Sequence, residues 1–411
     1  MLTIDAPTTT RAVRDLRPLW RRGLAALLPV PALLLAAEAL VLPYALTDEP
    51  VEQVAAASVT GRLDLALWLG LVGGLLALPV VLAVAWTTRR HAPRLALAGG
   101  VLAALGVTLS FNLPHPGLVL RAAVGSGLDP AAVAAAASNV LSAGSWLLAA
   151  AGVAGASLAL LRTRDADFDL APWGTAGPGV GPASSEHDAR PAWQVLLLVT
   201  APVAAVWVAL GRFLLPYHTL DDARTVFDKL LAAQGFLSFT EWAGLVASTC
   251  IVSGVVAVLW VSRRRAPVLT TFAAALAVPG YTALVASGSP GDALVAFAAQ
   301  GRIGTETAYL LGASAEALPQ AAAMGVVFVV GHLFGTVLLG LALWRSRALP
   351  AWVGLLLAVS QPVHLYAAMT GNNTVDLVAW GTTAGCFLAA GVVAFRLPRV
   401  EFDLPPLVQY R

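Results

Sequence analysis

Charged residues are scarce in this chain: they make up 12% of its 411 residues, against about a quarter in soluble domains. Hydrophobic residues make up 58%, and the mean hydropathy is +0.78. This balance excludes an ordinary soluble domain and makes the lipid bilayer the first expected partner. Apolar runs of about 20 residues, the length that crosses a membrane, recur along the chain. In lipid such a run must be helical, because only a helix satisfies its own backbone hydrogen bonds. The sequence therefore predicts an all-α polytopic membrane protein.

Cysteine and the common catalytic motifs are also missing or rare. The only two cysteines, Cys250 and Cys386, lie inside apolar runs, which excludes a disulfide framework and a CxxC metal motif. The sequence has no P-loop, GxSxG, HExxH, Asp-rich prenyl-diphosphate or nucleic-acid-binding pattern. These absences favour a protein that is not an enzyme but leave an enzyme open, and no nucleic-acid partner is expected.

About ten transmembrane helices are predicted from the apolar runs. They cover residues 23–46, 63–88, 94–113, 140–161, 193–215, 241–262, 267–287, 321–344, 349–370 and 375–396. If these spans are threaded, 19 of the 25 lysines and arginines fall on one side. The positive-inside rule then places both termini in the cytoplasm.

Four short phrases occur twice in the same order, which indicates an internal duplication. They are LPY at 42–44 and 215–217, WxGLV at 68–72 and 242–246, RRxAP at 89–93 and 263–267, and FDLxP at 168–172 and 402–406. The first three pairs are 173 or 174 residues apart. We divide the chain into a first repeat at 1–173, a flexible cytoplasmic linker at 174–192 and a second repeat at 193–411.

The second repeat has six predicted spans where the first has four. An even number of spans per unit makes the two copies parallel, related by an axis along the membrane normal. The extra hairpin is either appended or inserted, and we favour insertion because the FDLxP tail recurs at the end of the second repeat. The predicted architecture is a parallel duplication of a four-helix unit plus one extra hairpin, spans eight and nine.

Ionisable residues inside predicted spans are the best candidates for function, because burying them in lipid is costly. Glu38 lies in the first span, His332 in the eighth and His364 in the ninth. From their distances to the ends of an antiparallel hairpin, the two histidines lie at depths of ~18 and ~21 Å, near the midplane. Gln361 precedes His364 by less than one turn. We predict a polar site formed by Glu38, His332, Gln361 and His364.

Several functions fit such a site, and the sequence leaves them open. The histidines could relay protons or hold a substrate, as in a transporter. They could ligate haem axially, as in a redox protein, or bind a metal, although no third ligand stands out. Each could instead make an interhelical hydrogen bond in an accessory subunit with a membrane-protein partner, or in a homo-oligomer.

One segment resembles known proteins. In residues 340–355, GLALWRSRALPAWVGL, a span ends in Arg-Ser-Arg and a proline opens the next span. This hairpin resembles those of bacterial multi-spanning inner-membrane protein families of unknown function. The resemblance implies a prokaryotic inner membrane and carries no residue roles.

Overall fold

The computed structural model describes residues 29–43, 52, 55–56, 61–88, 93–112, 116–126, 190–263, 265–287 and 290–398. Within these ranges every regular element is a helix. In chain order the helices are α1 (Val30–Val41), α2 (Arg62–Thr88), α3 (Pro93–Asn112), α4 (Pro116–Ser126), α5 (Arg190–Thr200), α6 (Val203–Phe213), α7 (Ala223–Ala232), α8 (Gln234–Thr249), α9 (Ser253–Ser262), α10 (Pro267–Ser287), α11 (Pro290–Ala299), α12 (Thr305–Glu316), α13 (Pro319–Ser346), α14 (Ala351–Thr370) and α15 (Asn373–Arg396).

Seven helical stretches in the described residues are long and apolar enough to cross a membrane. They are α2, α5 with α6, α8 with α9, α10, α13, α14 and α15. These stretches support an all-α membrane protein. Three of the ten predicted spans are not among them. The described parts of the first and third predicted spans form shorter apolar helices, and the fourth, at 140–161, lies outside the described residues, as do both FDLxP tails.

Two of the seven stretches are interrupted by a local change in hydrogen bonding. Between α5 and α6, Pro202 has no amide hydrogen, and the chain turns there before α6 begins. Between α8 and α9, the amides of Cys250 and Ser253 donate to carbonyls three residues back rather than four. This tighter 3₁₀-type winding interrupts the regular helix without breaking the span.

The main apolar core lies where the longest helices pack against one another. Helix α10 runs along α13, which is followed in space by α14 and then α15, while α5, α6 and α9 flank α15. The core side chains come from these helices and from α2 and α3, with Leu339, Leu357 and Phe387 almost fully buried. The predicted extra hairpin, α13 and α14, therefore lies inside the core and not at its edge.

Glycines allow α13 to approach both of its neighbours closely. A Cβ added at Gly331 would overlap Gly280 of α10 and lie 2.8 Å from the carbonyl oxygen of Leu276. A Cβ added at Gly340 would lie 2.6 Å from the carbonyl oxygen of Gly354 on α14. Small residues at such crossings let helix backbones touch, as is common in membrane bundles.

A second apolar core lies at one end of the bundle, which we call the Asp221 end; Arg347 marks the opposite end. This core is formed by α4, α7, α8, α11 and α12 with the first turns of α2 and α13. Asp222 caps α7, since its carboxylate accepts from the Thr225 amide at 3.0 Å. The preceding residue, Asp221, pairs with Lys229 at 2.7 Å. The hydrogen bond from Lys229, followed by that from the His218 amide, holds the pKa of Asp221 below its usual range.

We expect the contact between α10 and α13 to be sensitive to one methyl group. Gly331→Ala forces that methyl against the α10 backbone and should lower the free energy of unfolding by about 1–3 kcal/mol. Gly325→Ala on the same helix is the control, because a Cβ there meets nothing within 4 Å. Unfolding of the purified protein in detergent measures both. A loss no larger for Gly331→Ala than for the control would contradict the close contact.

Candidate functional site

The two intramembrane histidines lie side by side. The ring centroids of His332 on α13 and His364 on α14 are 5.8 Å apart. His332 is 2% exposed and stacks on Phe328, one turn earlier in α13, at 4.2 Å between centroids. Trp380 of α15 completes the group at 6.0 Å from His332 and 5.2 Å from His364. Three consecutive helices thus bring three nitrogen-bearing rings together.

A buried carboxylate connects this ring cluster to the Asp221 end. Asp376, in the first turn of α15, is 1% exposed. Its Oδ2 accepts from Arg212 Nε at 2.6 Å, and its Oδ1 lies 2.6 Å from His364 Nδ1. Arg212, near the end of α6, also donates to the hydroxyl of the exposed Thr219 at 2.9 Å. A continuous chain of polar contacts therefore runs from the surface to His364.

His364 Nδ1 is shared between two competing partners. It faces the Asp376 carboxylate, and it also lies 3.0 Å from the indole Nε1 of Trp380. A carboxylate only accepts and an indole N–H only donates, so Nδ1 bonds to Asp376 when it carries a proton and to Trp380 when it does not. The bond to the ionised carboxylate is the stronger of the two. The position of one proton thus decides which residue of α15 holds His364.

One turn further along the seam between α14 and α15, a second polar group is buried. Gln361 Nε2 donates to Thr383 Oγ1 at 3.1 Å, and the hydroxyls of Ser360 and Thr383 lie 2.8 Å apart. Gln361 and Thr383 are completely buried. Gln361 precedes His364 by three residues, so this group extends the ring cluster along the same two helices.

Two atoms of the site have no hydrogen-bond partner among the described residues: His332 Nε2 and Gln361 Oε1. The other ring nitrogen of His332, Nδ1, bonds to the Phe328 carbonyl of its own helix at 2.7 Å. The structural alternative, in which each histidine makes an interhelical hydrogen bond, therefore fits His364 but does not fit His332.

Of the four residues predicted for the site, the structure groups three and separates one. His332, Gln361 and His364 lie along one seam. Glu38 lies between α1 and α2, with Oε1 2.5 Å from where a Cβ of Gly70 would be. The hydrogen bonds and ion pairs of the other three residues do not include Glu38.

The site predicted from the sequence did not include Asp376, Trp380 or Arg212. Opposite charges near the same predicted side of the membrane could have indicated the ion pair, since Arg212 lies near the end of the fifth span and Asp376 near the start of the tenth. Trp380 gave no such signal, because tryptophan in an apolar run is ordinary.

The arrangement of rings does not fit a haem between the histidines. An axially ligated porphyrin lies across the line that joins its two ligands. The three ring centroids form a nearly equilateral triangle, so Trp380 occupies part of the plane that the porphyrin would need. Within the described residues, no group of three or more His, Cys, Asp or Glu side chains is arranged to hold a metal ion.

Comparisons with known proteins add no relative. No protein-family model matches the chain, and no curated protein or solved structure matches it. The function is therefore argued from the site itself.

Asp376 should contribute strongly to stability, because it is the shared partner of two cations or potential cations. Asp376→Ala leaves Arg212, whose side chain is only 22% exposed, without its partner, and should lower the free energy of unfolding by about 3 kcal/mol. The control is Asp228→Ala, which removes an exposed ion pair to Arg224 and should cost about 0.5 kcal/mol. Detergent unfolding measures both variants. Equal losses would mean that burial gives the Asp376 pair no special weight.

Proposed function

We propose that this chain is an integral membrane protein of the transport type, and that His332 and His364 handle a proton or a bound ligand within the membrane. One observation carries the proposal: the two imidazoles lie 5.8 Å apart within helices that are long and apolar enough to span a bilayer. Ionisable groups in such segments are expensive and commonly mark ion or substrate pathways. Their pairing gives them a shared role that isolated polar residues would lack.

Proton handling is the role that the contacts favour. Histidine is the side chain whose ordinary charge change falls between pH 5 and 8. His364 Nδ1 bonds to the Asp376 carboxylate when it carries a proton and to the Trp380 indole when it does not. Gain or loss of this proton therefore changes the contact between α14 and α15. The Asp376 carboxylate can exchange this proton with His364 Nδ1, and Arg212, which keeps its own protons, holds that carboxylate from the side of the Asp221 end.

Proton movement through the reconstituted protein tests the proposal. Liposomes that contain the protein and an internal pH-sensitive dye receive an external acid jump while valinomycin and potassium clamp the potential. We expect faster internal acidification than in protein-free liposomes, and we expect His364→Gln to abolish the difference. The control is Thr382→Ala, a half-buried position on α15 whose hydroxyl donates to the Val378 carbonyl of its own helix.

A rate equal to that of protein-free liposomes, or an unchanged rate in His364→Gln, would contradict proton handling. That result would favour the second candidate, an accessory membrane subunit. Its supporting observation is that hydroxyl contacts join neighbouring helices, Tyr281 with Thr336 at 2.9 Å and Ser360 with Thr383 at 2.8 Å. Such contacts serve a purely structural role equally well.

We also propose that the chain is a parallel duplication of ten spans in a prokaryotic inner membrane. The helix bounds support the repeat: α3 and α10 begin at Pro93 and Pro267, and α4 and α11 at Pro116 and Pro290. Both pairs are 174 residues apart, the same spacing as the two copies of WxGLV and of RRxAP. The excess of arginine on one predicted side supports cytoplasmic termini.

Cysteine labelling in intact cells tests this topology. In a background with both native cysteines replaced by alanine, a membrane-impermeant maleimide should label Thr219→Cys and His115→Cys directly. It should label Arg347→Cys only after permeabilisation. Thr219 and His115 belong to different repeats, so their labelling from opposite sides would contradict the parallel duplication.

A further inference from the structure

Two buried side chains, one in the ring cluster and one beside it, each present an atom without a hydrogen-bond partner in the described part of the chain. They are His332, at 2% exposure, and Gln361, at 0%. Their unpartnered atoms are His332 Nε2 and Gln361 Oε1. Buried polar atoms in folded proteins nearly always have a partner, so each exception requires an explanation.

The hydrogen bonds of His332 define what its free nitrogen can do. Nδ1 lies 2.7 Å from the carbonyl oxygen of Phe328, and a carbonyl oxygen can only accept. Nδ1 therefore carries the hydrogen of this bond. In the neutral ring, Nε2 is then left with a lone pair and acts as an acceptor.

The orientation of the Gln361 amide follows from its neighbour in the same way. The Thr383 hydroxyl donates to the carbonyl of Ala379 at 3.2 Å, so toward Gln361 it can only accept. Gln361 therefore presents its NH₂ group to Thr383, and its Nε2 lies 3.1 Å from Thr383 Oγ1. The amide oxygen Oε1 faces away from Thr383 and is likewise an acceptor.

Both acceptors belong to the same small region of the fold. His332 contacts the rings of His364 and Trp380. Gln361 lies three residues before His364, and its partner Thr383 lies three residues after Trp380, which is about 4.5 Å along the helix axes. This offset between residues along the helix axes is short enough for one small molecule, donating at about 2.8 Å to each atom, to reach both acceptors.

We infer that His332 Nε2 and Gln361 Oε1 hold a small molecule that donates two hydrogen bonds. Water has this chemistry, as do ammonium and primary ammonium ions, and a species without hydrogen-bond donors does not. The rings of Phe328 and Trp380 lie nearly parallel to that of His332, at 4.2 and 6.0 Å between centroids, and aromatic faces suit a cationic donor as well as a neutral one. This inference extends the proposed function, because the donor would occupy the cluster assigned to proton handling.

A double-mutant cycle tests whether the two acceptors share a ligand. The variants are His332→Phe, Gln361→Met and the double variant. The unfolding midpoint of each purified variant is measured in detergent. If one molecule bridges both acceptors, the shift in unfolding midpoint of the double variant differs from the sum of the single shifts. If nothing is bound, each substitution removes an unsatisfied acceptor, and the shifts add. Additive shifts in every buffer would overturn the inference. If His332→Phe does not fold, His332→Met takes its place.

The matched control pairs His332→Phe with Gln320→Met. Gln320 is also a buried glutamine, and its Oε1 has no hydrogen-bond partner among the described residues. It lies 12 residues before His332 on α13. That spacing is about 18 Å, too far for a shared small ligand. The shifts in unfolding midpoint of this pair should add. Coupling that occurs only between His332→Phe and Gln361→Met then excludes a general destabilisation of α13 as its cause.

The buffer identifies the donor. The cycle is measured in sodium chloride, ammonium chloride and tetramethylammonium chloride at equal ionic strength. Coupling of the same size in all three indicates water. Coupling that appears only in ammonium chloride indicates an ammonium-type ligand, since tetramethylammonium has no N–H group. These measurements need no transport activity, so they can succeed or fail independently of the proton-flux experiment.

Discussion

The carboxylate of Asp376 is the interaction on which the architecture of the site depends. Its two oxygens bind side chains from two different helices, Arg212 of α6 and His364 of α14, while the residue itself belongs to α15. A nearly fully buried carboxylate without partners would be strongly unfavourable, so each partner is held in place by the need to satisfy it. The position of His364, and through it the contact with His332, follows from this requirement.

This dependence also explains why stability and function are difficult to separate here. Asp376 keeps α6, α14 and α15 together, and it also competes with Trp380 for the hydrogen bond to His364 Nδ1. A buried ion pair adds less net stability than its charges suggest, because removing both charges from water is costly. The contacts of the pair match one register of α14 against α15, the register in which His364 meets both Asp376 and Trp380.

The sequence predicted an all-α membrane protein, which the helices support, and it predicted that two of the candidate residues, His332 and His364, lie at nearly the same level. Helix existence followed from apolar length alone, and the helix bounds of α13 and α14 lie within two residues of the predicted spans. The adjacency of His332 and His364 followed from the geometry of an antiparallel hairpin. Glu38 was grouped with them on depth alone, and depth says nothing about which helices are neighbours in the plane of the membrane. Asp376 was missed for the converse reason, because its significance comes from a contact with α6 more than 150 residues away.

The glycine contacts of α13 have a consequence for how this protein can vary. Near Arg347, α13 and α14 meet backbone to backbone at Gly340 and Gly354, where only the smallest residues fit. Toward the other end, the same two helices are separated by the rings of His332 and His364. The hairpin therefore has close backbone contact near Arg347 and ring contacts toward its other end. Substitutions near the rings leave the glycine contacts in place, so the polar groups between these two helices can change while the helices keep their alignment.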